Sequence, residues 1–301
     1  MRLTAVGLVV LALAALAGVW WNRTLNRRPA SLIARIPVRD AVLVYVDFAA
    51  LRQSGMLRKL VGGKNVEEPE YKAFVTRTHF NYKDDLDTAV VAFSTNARYF
   101  LARGRFDWKA LRGYAEGERG YCDGKYCNMP GSTPERQISF FAVQSDILGL
   151  AVTPHQMGAV ALAETHPPAT AVLPDGPVWV SVPPSALRSG EALPTGTRMF
   201  ARGMENSDSV TLTFGPDGTR FGARLTVQCR TDKDAADIAA RLTRTTTLLR
   251  EMIEREHQRP NPSDLSGVLT SGAFRSEGRT VRGFWPIERA FVDNLLSGVT
   301  P

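Results

Sequence analysis

The sequence predicts an α+β fold: a duplicated β-α-β-β-α-β-β-α unit with a mainly antiparallel sheet, helices on one face, and one N-terminal transmembrane helix ahead of it. Three observations carry this expectation. Residues 3–21 are an uninterrupted apolar run, the body alternates strand pairs with helical segments, and its two halves echo each other in sequence.

The apolar run LTAVGLVVLALAALAGVWW contains one Thr and no charge. At helical rise it spans about 28 Å, close to the roughly 30 Å of bilayer hydrocarbon. Trp20 and Trp21 end it where indoles prefer the headgroup boundary, just before Arg23. The competing assignment is a cleaved export signal, with Arg2 as the basic start and Ala15-Leu16-Ala17 as a small-x-small site before Gly18. Continuation of the run to the tryptophan pair favours an uncleaved span over residues 1–21, followed by a polar connector at 22–39. Arg23, Arg27 and Arg28 after the span would, by charge count alone, hold the body in the cytoplasm. The disulfide expected below places it outside instead.

DAVLVYVDF (40–48) reads as a strand, followed by helices at 50–61 and 70–78. TAVVAFS and ARYFLARGRF flank Thr95-Asn96 as a hairpin, and Asp107 can cap the helix WKALRGYAEG. After a polar, Gly-rich insert at 117–136 come ISFFAV and ILGLAVT, then a helix opening at Thr153-Pro154. The second half runs in the same order. PVWVSVP (177–183) is a strand, 195–204 a helix, and SVTLTFG and RFGARLTVQC a hairpin around Pro216-Asp217-Gly218. Phe221, Ala223, Leu225, Val227 and Cys229 share one face by alternation. Ile238, Leu242, Leu249 and Ile253 give the next, long helix a core-facing stripe. GAFRSEG and TVRGFWP form the last hairpin, before the helix IERAFVDNLLSG.

Ala-Leu-Arg recurs at 50–52 and 186–188, and the segment from ISFFAV overlies that from GAFRSEG at an offset of about 133 residues. The expected units are 40–165 and 177–297, joined by a proline-rich linker at 166–176. The opening strand DAVLVYVDF, with Pro37 before it, resembles uncharacterised exported or membrane-anchored bacterial α+β proteins. That resemblance implies an envelope address and transfers no catalytic residue.

The 301 residues are 44% apolar and 22% charged, a globular balance that excludes a disordered chain or a polytopic membrane protein. The net charge of +7 looks like a nucleic-acid signature until it is located. Residues 1–40 hold six arginines against Asp40, leaving only +2 for the rest, so no nucleic acid is expected as a partner.

Cys122 and Cys127 flank Asp123-Gly124-Lys125-Tyr126, a turn short enough to join them as a disulfide in an oxidising compartment. Cys229 falls on the apolar side of its strand, where a buried thiol is expected. His79 with Asp84, Asp85 and Asp87 is the one cluster that could bind metal or move protons, although it lacks HExxH or calcium-loop spacing. A solvated connector capped by aspartates is the simpler assignment. Trp179, Phe284 and Trp285 are candidate ligand contacts, weighed against core packing. No cofactor or metal is expected.

The expected function is a membrane-tethered extracytoplasmic (periplasmic) structural or interaction module without catalysis, on the bacterial cytoplasmic membrane and partnered by an envelope protein or ligand. The alternatives are an envelope hydrolase or metal-dependent enzyme at His79 and Asp84–Asp87, and lipid, peptide or glycan binding in a groove between the halves.

Overall fold

A computed structural model describes residues 29–38, 40–61, 69–133, 135–166, 173–189, 198–218 and 220–296. The expected membrane helix at 3–21, its alternative cleavage site, residues 167–172 of the expected linker and the first residues of the 195–204 helix lie outside them. No helix of the described residues is long and apolar enough to cross a membrane.

The fold is mixed α+β on a large antiparallel sheet. Its strands are β1 (Val42–Asp47), β2 (Leu86–Phe93), β3 (Arg98–Gly104), β4 (Tyr121–Asp123), β5 (Tyr126–Pro130), β6 (Gln137–Gln144) and β7 (Ile147–Thr153) in the first half. The second half supplies β8 (Val178–Val182), β9 (Ser209–Asp217), β10 (Arg220–Gln228), β11 (Ala273–Glu277) and β12 (Thr280–Ile287). Among the described residues they make one twelve-stranded sheet ordered β11-β12-β10-β9-β8-β1-β2-β3-β7-β6-β5-β4. The two sequence halves therefore merge through antiparallel pairing of β1 with β8.

Read outward from that seam, the halves run β1-β2-β3-β7-β6 and β8-β9-β10-β12-β11, with the β4–β5 hairpin added to the first. Leu43 opposite Ser181 and Tyr45 opposite Trp179 flank the Val44–Val180 pair. That central pair is 136 residues apart, the spacing of the Ala-Leu-Arg echo. The echo itself falls in the short helices Phe48–Gln53 and Pro184–Ser189, where Leu51 and Leu187 are buried.

Because side chains alternate across a strand, the registers sort the sheet into two faces. The face holding Val44, Val180, Leu225, Val227, Val281, Phe140 and Leu150 is the helical face. The Asp232–Arg255 helix packs Ala235, Ile238, Ala239 and Leu242 against its second half. It starts with a capping box between Thr231 and Asp234, which satisfies first-turn N–H groups. The Trp108–Gly117 helix, capped by Asp107, packs Leu111 and Ala115 on Phe140 and Cys127 of the first half.

On the other face, Leu43, Tyr45, Val90, Ala92, Leu101, Phe141 and Ala151 make a second core. Its cover corrects the expectation that helices occupy one face only. The Pro29–Ile33 helix, within the segment expected to be a polar connector, buries Leu32 and Ile33 there. Gly158–Leu162 adds Ala159 and Leu162 as a 3₁₀ turn rather than the expected α-helix. Serine, alanine and arginine around three apolar residues hid the N-terminal amphipathic turn. The 117–136 insert also contributes more than a loop, since β5 pairs along β6 and extends the sheet.

Candidate functional site

The His79 region folds as a corner whose polar groups are engaged with one another. His79 follows the Pro69–Thr78 helix and its N–H donates to the Val75 carbonyl, closing the last turn. Its φ of 55° is left-handed, a conformation favouring glycine. Asp85 accepts from the Asn81 N–H and from Arg105, Asp84 accepts from the Asn81 side chain, and Asp87 accepts from Arg52. Arg52 also donates to the Leu86 carbonyl. Among the described residues no three His, Cys, Asp or Glu side chains converge as a metal site. His79→Gly should raise stability by up to about 1 kcal/mol by relieving the backbone. A urea midpoint that fell would show that the imidazole makes a contact of its own.

Cys122 and Cys127 sit directly opposite each other on β4 and β5 and form a disulfide. Cys229 is a free, buried thiol, and burial raises its pKa, aided by Asp234 and Asp208. Replacing both paired cysteines by alanine should cost about 2 kcal/mol, the loop-closure value for so short a ring. Non-reducing peptide mapping should recover the 122–127 linkage, and Cys229 should alkylate only after denaturation. Native-state alkylation of Cys122 would contradict the pairing.

Trp179, Trp285 and Phe284 have different environments. Trp179 is 2% exposed and stacks on Tyr45 at 5.2 Å between ring centroids. Trp285 is 8% exposed, edge-on to Phe200 and Phe274. Phe284 is half-buried and opens onto a depression of about 550 Å³ over β10, β11 and β12.

Tyr45 sits in the middle of the sheet. Burial, and then the nearby Asp47 carboxylate, push its phenol well above the ordinary tyrosine value. The folded state therefore keeps a proton that the unfolded chain loses above about pH 10, so stability should fall as pH rises past that value. Ultraviolet titration should show Tyr45 ionising with unfolding. Titration at the ordinary value in a folded chain would refute its burial.

The depression belongs to the second half of the face whose first half is sealed. One row of directly paired residues runs Arg275, Arg282, Thr226, Thr211, Ser181, Leu43, Ala92, Tyr99, Ala151. The next row runs Ala273, Phe284, Arg224, Thr213, Trp179, Tyr45, Val90, Leu101, Gly149. Both change from polar to mainly apolar near the β8–β1 seam. In the outer three strands of the second half, these residues are half-buried or exposed.

Arg224 donates to Asp217 at 2.7 Å, with its guanidinium 5.6 Å from the centre of the Phe284 ring. Arg275 donates to Glu277 at 2.7 Å, and Arg282 lies 3.5 Å from the other oxygen of the same carboxylate. Gly222 permits this arrangement, because a Cβ there would come within 2.6 Å of the Phe284 ring. The sequence expectation included Phe284 but missed the three arginines. Their signal was the polar side of the alternation in RFGARLTVQ, AFRSE and TVRGFWPI, which sits opposite the apolar side that defined the core.

The chain is thus an α+β protein with an open, basic and aromatic patch on a large antiparallel sheet. No family model and no curated protein matches it. Its fold is similar to that of TP0453. Crystal form III of that protein matches at a TM-score of 0.50 and 12% identity, covering 88% of this chain and 97% of that one. Form I matches at 0.48 and 13% identity over 89% and 98% of the two chains. At these identities the likeness is one of fold.

Proposed function

We propose that this chain is a membrane-tethered extracytoplasmic interaction module, formed by duplication of an α+β unit, that binds a partner or ligand on its open sheet face. The observation that carries the reading is the difference between halves of the same face. Positions apolar and sealed in the first half, such as Leu101, Gly149 and Phe141, have Thr226, Arg282 and Arg275 as register equivalents in the second. The shared strand order and the 136-residue spacing at the seam support duplication. Unburied sheet faces with convergent polar and aromatic groups are suited to recognition.

The apolar run at 3–21 supports the tether, and the Cys122–Cys127 disulfide supports an oxidising compartment. The alternative enzyme at His79 has less support, since Asp85 and Asp87 are held by Arg105 and Arg52.

The test is photocrosslinking in whole cells, with the reactive side chain placed at Thr226 or, as a control, at Arg244 on the outer side of the long helix. Adducts from Thr226 that need residues 1–21 are expected. Adducts from Arg244 alone, or none from Thr226, would reject the open face as the binding face.

A further inference from the structure

We infer that the depression over β10, β11 and β12 binds an oxyanion of the phosphate class, carried on a flat or apolar body that packs on Phe284. The inference rests on the open face being the binding face, and it names the chemistry of what that face takes.

Arg275 and Arg282 are directly opposite on adjacent strands. Like charges in that position repel, and a sheet gains nothing structural from placing them there. Among the described residues, Glu277 is the one carboxylate that reaches both, close to Arg275 and 3.5 Å from Arg282. Arg224, on the next strand but one from the edge, has Asp217 as its partner. The patch therefore carries three guanidinium groups against two carboxylates.

A guanidinium presents paired N–H donors that match two oxygens of a phosphate, which makes arginine the favoured residue for such recognition. Arg282 also donates to the Thr226 hydroxyl at 3.5 Å, which brings a neutral donor and acceptor into the same space. Phe284 supplies the apolar surface beside these groups, and Arg224 already lies across its ring.

The volume of about 550 Å³ falls within the range of small-ligand sites. The register equivalents argue against an incidental surface cluster. Phe141, Gly149, Tyr99 and Ala151 occupy the corresponding places in the other half and bury apolar surface or make room for it. Replacement there by Arg275, Arg282, Arg224 and Phe284 removes the core that the face could have formed and leaves cations with an aromatic surface.

The phosphate could come from a soluble anion or from a lipid headgroup, so the test uses one probe of each kind. The full chain, solubilised in nonionic detergent, is titrated calorimetrically with inorganic pyrophosphate and with a short-chain phosphatidic acid below its micelle concentration. Saturable binding of at least one probe at millimolar concentrations is expected, and the tighter probe identifies the source. Arg282→Gln and Arg275→Gln should each weaken it by about tenfold or more. Arg255→Gln, an exposed arginine paired with Glu251 on the long helix, should leave it unchanged.

Binding of neither probe, full retention in Arg282→Gln, or an equal loss in Arg255→Gln would overturn the inference. Crosslinks through Thr226 without oxyanion binding would reject the ligand class while leaving the binding face standing.

Discussion

Leu242→Asp should leave the chain without a cooperative folded state. Leu242 is 0% exposed and lies in the cluster formed by the long helix, β10 and β12. A carboxylate there would be buried without a partner, at a cost of more than about 4 kcal/mol. Typical folding stabilities are roughly 5–15 kcal/mol, so that cost removes most or all of the margin. Arg244→Ala, two residues on and exposed, should change stability by less than about 0.5 kcal/mol. Circular dichroism with urea denaturation distinguishes the two. A Leu242→Asp chain that still melts cooperatively within a few degrees of the parent would mean that the helix does not pack as described.

Trp179→Ala should be the next most damaging change, by about 3–5 kcal/mol. The indole stacks on Tyr45 with an interplanar angle of 16°, and the two residues face each other across the β1–β8 seam. Removing it leaves a large cavity where the two halves join. The same variant bears on the expectation that Trp179 contacts ligand. A core residue loses stability on truncation, whereas a contact residue loses affinity and keeps the fold. Unchanged denaturant midpoint with weakened binding would therefore move Trp179 from the core to the site.

Much of the local structure was legible because it is encoded over short distances. Alternation at 86–104, 209–228 and 273–287 marked three hairpins, and Asp107 marked a helix start. The CDGKYC segment marked the disulfide through its Asp-Gly turn and the short spacing of its cysteines. Long-range pairing was less accessible. Nothing near β1 states that it adjoins β8, because backbone ladders are not selective for partner identity. The cover on the half-open face was missed for a related reason. Leu32, Ile33 and Ile36 become an apolar patch only once a single helical turn is formed. At the candidate site the residues were visible, but their convergence was not. Arg224, Arg275 and Arg282 lie on three strands whose order β10-β12-β11 is a tertiary fact.

The β1–β8 seam also has a consequence for how the chain folds. Its hairpins close over turns of a few residues, whereas the seam must bring Val44 to Val180 across most of the first half. Loop-closure entropy rises with that separation, and folding slows as contacts become less local. The two halves should therefore condense first around their own hairpins, and the centre of the finished sheet should be its last part to zip. Pulse-labelled hydrogen exchange would then find late protection at the geometric middle of the molecule, with earlier protection on either side.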